Sequence, residues 1–141
     1  MSTLRTNALE GMDAKNSITI VAGAGNVTTT NVQEGLCKCW VNLDGGSVDS
    51  SVNLVGVRDS FNVASLVDNG PGTYTVNFSN AMSSTSYTAS GLIALENDAG
   101  SFNPLSVANR ATTSCRIDCE NNSSSNSDPV AVDAQVFGDL A

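Results

Sequence analysis

Three stretches of this chain alternate with a period of two, "CKCWVNL" (37–43), "TYTVNF" (73–78) and "SCRID" (114–118), and a last strand is predicted over "VAVDAQVF" (130–137). A period of two places successive side chains on opposite faces of an extended strand, and it is incompatible with the 3.6-residue period of a helix. Cys37, Cys39, Val41 and Leu43 therefore share one face, and Lys38, Trp40 and Asn42 the other. In the same way Tyr74, Val76 and Phe78 oppose Thr73, Thr75 and Asn77, and Cys115, Ile117 and Cys119 oppose Arg116, Asp118 and Glu120. Dense turn signals separate these runs, notably "DGGSVDSS", "DNGPG" and "NNSSSNSDP".

Further strands are predicted over Ser17 to Ala22, over two segments of "VNLVGVRDSFNVASLVD" that part around Arg58–Ser60, and over "SYTASGLIALEN". The last is apolar on both sides, which predicts cover on both faces or pairing with a second chain. "DAGSFNPLSVANRA" is read as an irregular loop because of Pro104. Seven or eight short strands with no convincing helix define an all-β protein, a single β-sandwich or jelly-roll-like domain over 33–141 preceded by an extended N-terminal arm over 1–32.

Composition narrows what such a domain can do. With 141 residues the chain is long enough for one core. Six Lys and Arg are scattered without a patch against a net charge of −8, so neither nucleic acid nor an anionic membrane is a fitting partner. No apolar run reaches the ~20 residues that span a bilayer. The start lacks the apolar stretch of a secretory signal, which predicts synthesis in a cytoplasm. There is no histidine, which removes the commonest general base and metal ligand.

The cysteines invite a zinc or redox reading. On a strand, Cys115 and Cys119 stand about 13 Å apart, too far to bridge each other or share a metal, and Cys37 and Cys39 stand about 6.7 Å apart with parallel side chains. A four-thiolate zinc site and a disulfide from Cys39 to Cys115 or Cys119 are the alternatives; the reading adopted is that sulfur fills the core, with no metal and no cofactor. "GAGN" (23–26) lacks the glycine spacing and following helix of a phosphate loop. Turn formation accounts for Asp44, Asp49, Asp68, Asp98 and Asp128 better than calcium binding. No catalytic residues are assigned; Asp118 and Glu120 are the carboxylates a hydrolase would have to use.

Two phrases carry a resemblance. "WVNLDG" followed by "VRDSFNVASLVDNGPGTYTVNFSNAMSSTSY", with "TTSCRI" and "DPVAVDAQVFG" downstream, resembles a module of tail-fibre-like virion proteins of tailed bacteriophages, particularly those of marine bacteria and cyanobacteria. It covers about Cys39–Gly138, and "TLRTNALEG" is similar to the segments with which such fibres begin. The resemblance implies a virion structural protein made in the host bacterial cytoplasm, a homotrimeric tail fibre or appendage with other tail or capsid proteins as partners and a host polysaccharide or receptor as a further one. Leu4, Arg5, Asn7 and Leu9 are expected to anchor the arm, and Trp40, Tyr74 and Tyr87 to make the subunit or receptor contact. A capsid decoration or head-fibre protein and a carbohydrate-binding module, in which exposed Trp and Tyr stack on sugars, are the alternatives.

Overall fold

The computed structural model describes residues 19–22, 28–31, 35–49, 54–95, 102–121 and 123–141. The anchoring residues Leu4, Arg5, Asn7 and Leu9 lie outside them. The chain divides into two units, Met1–Leu36 and Cys37–Ala141. In the first, β1 (Thr19–Ala22) pairs antiparallel with β2 (Thr28–Asn31), Thr19 opposite Asn31.

The second unit is a β-sandwich. Its strands are β3 (Cys37–Leu43), β4 (Val57–Phe61), β5 (Val63–Asp68), β6 (Thr73–Phe78), β7 (Thr88–Ala94), β8 (Phe102–Pro104), β9 (Ser106–Ala108), β10 (Ser114–Asp118) and β11 (Ala131–Phe137). A five-stranded sheet has the order β4-β3-β11-β7-β8, and a four-stranded sheet the order β5-β6-β10-β9. All neighbouring strands are antiparallel. The final strand β11 lies in the middle of its sheet, between β3 and β7, so the chain end is held by ladders on both sides.

Both sides of the sandwich are closed by chain that steps from one sheet to the other, the way orthogonally packed sheets make corners. β4 and β5, the edge strands of different sheets, are separated by Asn62 alone, and β8 and β9 by Leu105 alone. The first break was expected around Arg58–Ser60 but falls at Asn62, whose φ of 60° is the left-handed conformation that asparagine adopts more readily than most residues. Its side chain is a rivet. Nδ2 donates to the Lys38 carbonyl at 2.9 Å and the Asn80 carbonyl at 3.1 Å, and Oδ1 accepts from the Asn80 amide at 2.6 Å. The segment expected to be an irregular loop instead contains β8 and β9. Pro104 is accommodated because β8 is an edge strand, where one N–H fewer leaves no central ladder broken.

The alternation expected of the three periodic stretches is present, and β11 shows it as well. Cys39, Val41 and Leu43, then Tyr74, Val76 and Phe78, then Cys115 and Ile117, and finally Val132 and Val136 point between the sheets and form one core with Leu66, Met82, Tyr87 and Ile93. The sulfurs do fill space: Cys39, Cys115 and Cys119 are buried unpaired thiols. The gap left near Cys39, Val76 and Cys115 is about 10 Å³, at the limit for a single water. Two expectations need correction. Lys38, placed on the wetter face of β3, is only 4% exposed. β7 is not covered on both sides within the chain, since Ile93 is buried while Leu92 is 52% exposed.

Candidate functional site

The registers assign a face to each side chain. On the outside of the five-stranded sheet, Phe61 is opposite Trp40, Trp40 opposite Gln135, and Gln135 opposite Ser90. The adjacent row runs Asp59, Asn42, Asp133, Leu92. Between Trp40 and Leu92 lies an open groove of about 280 Å³, lined also by Gly91, Asp133 and Gln135. Its walls are an indole and a leucine from strands on either side of β11, set diagonally: Trp40 lies in the row of Gln135 and Leu92 in the row of Asp133, two strand spacings across and two residues along, on the order of 12 Å between α-carbons. Its floor holds a carboxylate and an amide.

The floor groups are oriented by their neighbours. Asn42 Nδ2 donates to Asp133 Oδ1, and Gln135 Nε2 donates to Ser90 Oγ at 3.4 Å. Gly91, between the outward Ser90 and Leu92, has its side-chain position on the core side of the sheet. It faces Ala134 across the ladder, and a β-carbon at Gly91 would overlap the Asp133 carbonyl oxygen and a methyl group of Leu105. Only glycine permits that approach.

Of the three residues expected to make the subunit or receptor contact, Trp40 alone is partly exposed on a face. Tyr74 and Tyr87 are corrections. Tyr74 is 0% exposed, and its hydroxyl donates to Asp128 Oδ1 at 2.8 Å inside the four-stranded sheet's closing loop. The same oxygen accepts from the Gly72 amide at 2.6 Å, so one carboxylate pins the hairpin turn to the loop after β10. Burial, and then the Asp128 carboxylate, push the Tyr74 phenol well above its ordinary range. Tyr87 is 6% exposed, packs edge-on against Phe78 with ring centroids 5.9 Å apart, and donates to the carbonyls of Ser114 at 2.9 Å and Ala111 at 3.2 Å. Both rings carry the core and its hydroxyl-bonded margins. The residue that sequence reasoning missed is Leu92, together with Phe61, 51% exposed beside Trp40; their sequence signal is an apolar residue at an outward position of the period-two pattern.

The outer face of the four-stranded sheet is different in kind. Asn69 Nδ2 donates to Thr75 Oγ1 at 2.8 Å, Asn77 Nδ2 to Ser65 Oγ at 2.8 Å, and Asn126 Nδ2 to Thr73 Oγ1 at 2.9 Å. Asp118, a carboxylate the hydrolase reading requires, is paired with the Arg116 guanidinium at 3.0 Å on this face. Among the described residues no three His, Cys, Asp or Glu side chains converge as metal ligands.

Burial raises the thiols of Cys39 and Cys119 to about 12 and that of Cys115 to about 11, so none is an ionised nucleophile near neutral pH. Cys37 is half-buried, its Sγ donating to the Cys39 carbonyl at 3.0 Å. The chain matches no family model, no curated protein and no solved structure in comparisons with each.

Proposed function

We propose that this chain is a structural component of a tailed-phage particle, a homotrimeric tail fibre or appendage protein. It anchors through its N-terminal arm and meets the host through the outer face of the five-stranded sheet. The observation that carries this reading is the inequality of the two outer faces. One pairs its polar side chains with one another and exposes Val67 as its one large apolar side chain among the described residues, and the other exposes Phe61 and Leu92, with Trp40 and Leu92 lining an open groove. An exposed cluster of this kind on an otherwise neutral, hydroxyl-rich domain is the mark of a contact surface. The resemblance gives that surface its setting. Its most specific phrase, "DNGPGTYTVNF", supplies Tyr74, Val76 and Phe78 to the core, so the likeness rests on residues that specify the sandwich.

Native mass measurement tests the assembly, with a trimer of the 14.5 kDa chain as the expected species. Electron microscopy of intact particles carrying a labelled chain is expected to place the label on the tail. Label on the capsid shell assigns the chain to decoration instead, and a monomer that is missing from purified particles removes the virion reading altogether.

A further inference from the structure

We infer that Asn69 is a site of spontaneous deamidation, and that the β5–β6 hairpin is the gate that sets its rate. Asparagine is chemically labile, and it is most so before glycine, which has no side chain to screen its amide nitrogen. Asn69–Gly70 is the chain's only Asn–Gly pair. The turn cannot dispense with the glycine, because Gly70 has a φ of 119°, a conformation that other residues rarely adopt. The pair is also reachable: Asn69 is exposed, and nothing stands within 4 Å of the position a β-carbon on Gly70 would take. The chain's only Asp–Gly pair, Asp44–Gly45, is placed differently, since Gly45 is buried and its nitrogen donates to the Pro129 carbonyl at 2.8 Å.

In the reaction the Gly70 nitrogen bonds to Asn69 Cγ, the Cγ–Nδ2 bond breaks, and ammonia leaves carrying the proton that Gly70 gives up. Water then opens the succinimide at either carbonyl, which yields aspartate or isoaspartate. In the closed hairpin both reacting groups are engaged elsewhere. The Gly70 N–H donates to Asp68 Oδ1 at 2.8 Å, which opposes loss of its proton, and Asn69 Nδ2 donates to Thr75 Oγ1 at 2.8 Å. The backbone is pinned as well, the Asn69 amide to the Thr73 carbonyl at 2.8 Å and the Thr73 amide to the Gly70 carbonyl at 3.0 Å. Attack therefore waits for the tip to open, and the rate in the folded protein is that of a free chain scaled by the open fraction. The product in turn loosens the gate. Aspartate has no side-chain N–H to give Thr75, and isoaspartate lengthens the main chain inside the turn.

The full-length protein is incubated at about pH 8.5, where its stability is expected to be level, both folded and in urea. Peptide mass mapping follows conversion at every asparagine. Asn69 is expected to convert first in both, at least about tenfold more slowly when folded. Asp68→Ala is expected to raise the folded rate about three- to tenfold and to leave the rate in urea within about twofold of the parent. Thr75→Val removes the acceptor for Nδ2, keeps a β-branched side chain, and is expected to act in the same direction. In urea, Gly70→Ala is expected to slow conversion about tenfold. Circular dichroism establishes that the Asp68 and Thr75 variants are folded before urea is added.

The inference is overturned if another asparagine converts before Asn69 in the folded protein, or if Asn69 stays intact in urea. Equal rates in the folded and unfolded chain overturn the gate. So does an Asp68→Ala variant that converts at the parental rate when folded, or one that gains equally in urea, since the carboxylate then acts on the local chemistry and not through the closed hairpin.

Discussion

The two outer faces of the sandwich are made from strands of similar length and residue class, yet they are finished in opposite ways. On the four-stranded sheet, threonine, serine and asparagine satisfy one another in pairs, Asn77 with Ser65 and Asn69 with Thr75, and Arg116 meets Asp118. On the five-stranded sheet, Phe61, Trp40 and Leu92 stand out from a floor of carboxylate and amide. Surface hydrogen bonds add little net stability apiece, but a face whose donors and acceptors are already paired has little left for a partner. An unpaired aromatic face keeps its interaction energy for whatever covers it. The core beneath is common to both.

That shared core sets the largest effect. Burial raises Tyr87 from 10.0 to about 12, Cys39 and Cys119 from 9.0 to about 12, and Cys115 from 9.0 to about 11; Tyr74 moves the same way. Each group is neutral in the native state and ionises more easily once unfolded, so between pH 9 and 12 the native state binds more protons. Stability from these groups is whole below pH 9 and is lost as pH rises through 11 and 12. Denaturant midpoints are expected to be level from pH 7 to 8.5, then to fall steeply to alkaline unfolding. If Trp40 emission and far-ultraviolet dichroism change together, the two faces share one cooperative unit. An earlier change at Trp40 would mean that the aromatic face opens alone.

Next in size is Gly91→Val. A side chain there has backbone on one side and Leu105 on the other, so the sheet must shift, at a cost of about 1–3 kcal/mol in urea unfolding. Ala64→Val, which adds bulk at an exposed position of β5 in the other sheet, is expected to cost less than about 0.5 kcal/mol. Equal costs would mean that the core side of β7 is no tighter than the outer surface of the sandwich.

The sequence made the sandwich legible where a strand is half-buried, because one wet face and one dry face produce the period of two seen in "TYTVNF" and "SCRID". It also contained the burial of Tyr74. The alternation puts Tyr74 beside Val76 and Phe78, so a contact role for its ring contradicts the pattern that defines the strand. The three-residue strands β8 and β9 were not legible, since neither is long enough to complete an alternation and Pro104 argues against a ladder. The corner at Asn62 was not legible: the flanking apolar Phe61 and Val63 hide a break there, and the polar run Arg58–Ser60 is where the pattern parts. Trp40's outward side was legible. The groove beside it was not, because it needs β7 to arrive next to β11, a pairing that runs from Ala94 with Ala131 to Thr88 with Phe137 and that no local pattern encodes.

The smallest effects separate the faces most directly. Asn77→Ala removes a 2.8 Å hydrogen bond to Ser65 on a half-buried position, and is expected to cost about 0.5–1.5 kcal/mol. Pairing it with Ser65→Ala in a double-mutant cycle recovers part of that cost, since the two groups satisfy each other. Leu92→Ser removes more apolar surface but from a side chain that is 52% exposed, so its expected effect on unfolding is within about ±0.5 kcal/mol. A stability loss at Leu92 exceeding that at Asn77 would show that Leu92 already packs within the single chain. The aromatic face would then be as self-contained as the polar one, and the difference between them would be one of composition without consequence for binding.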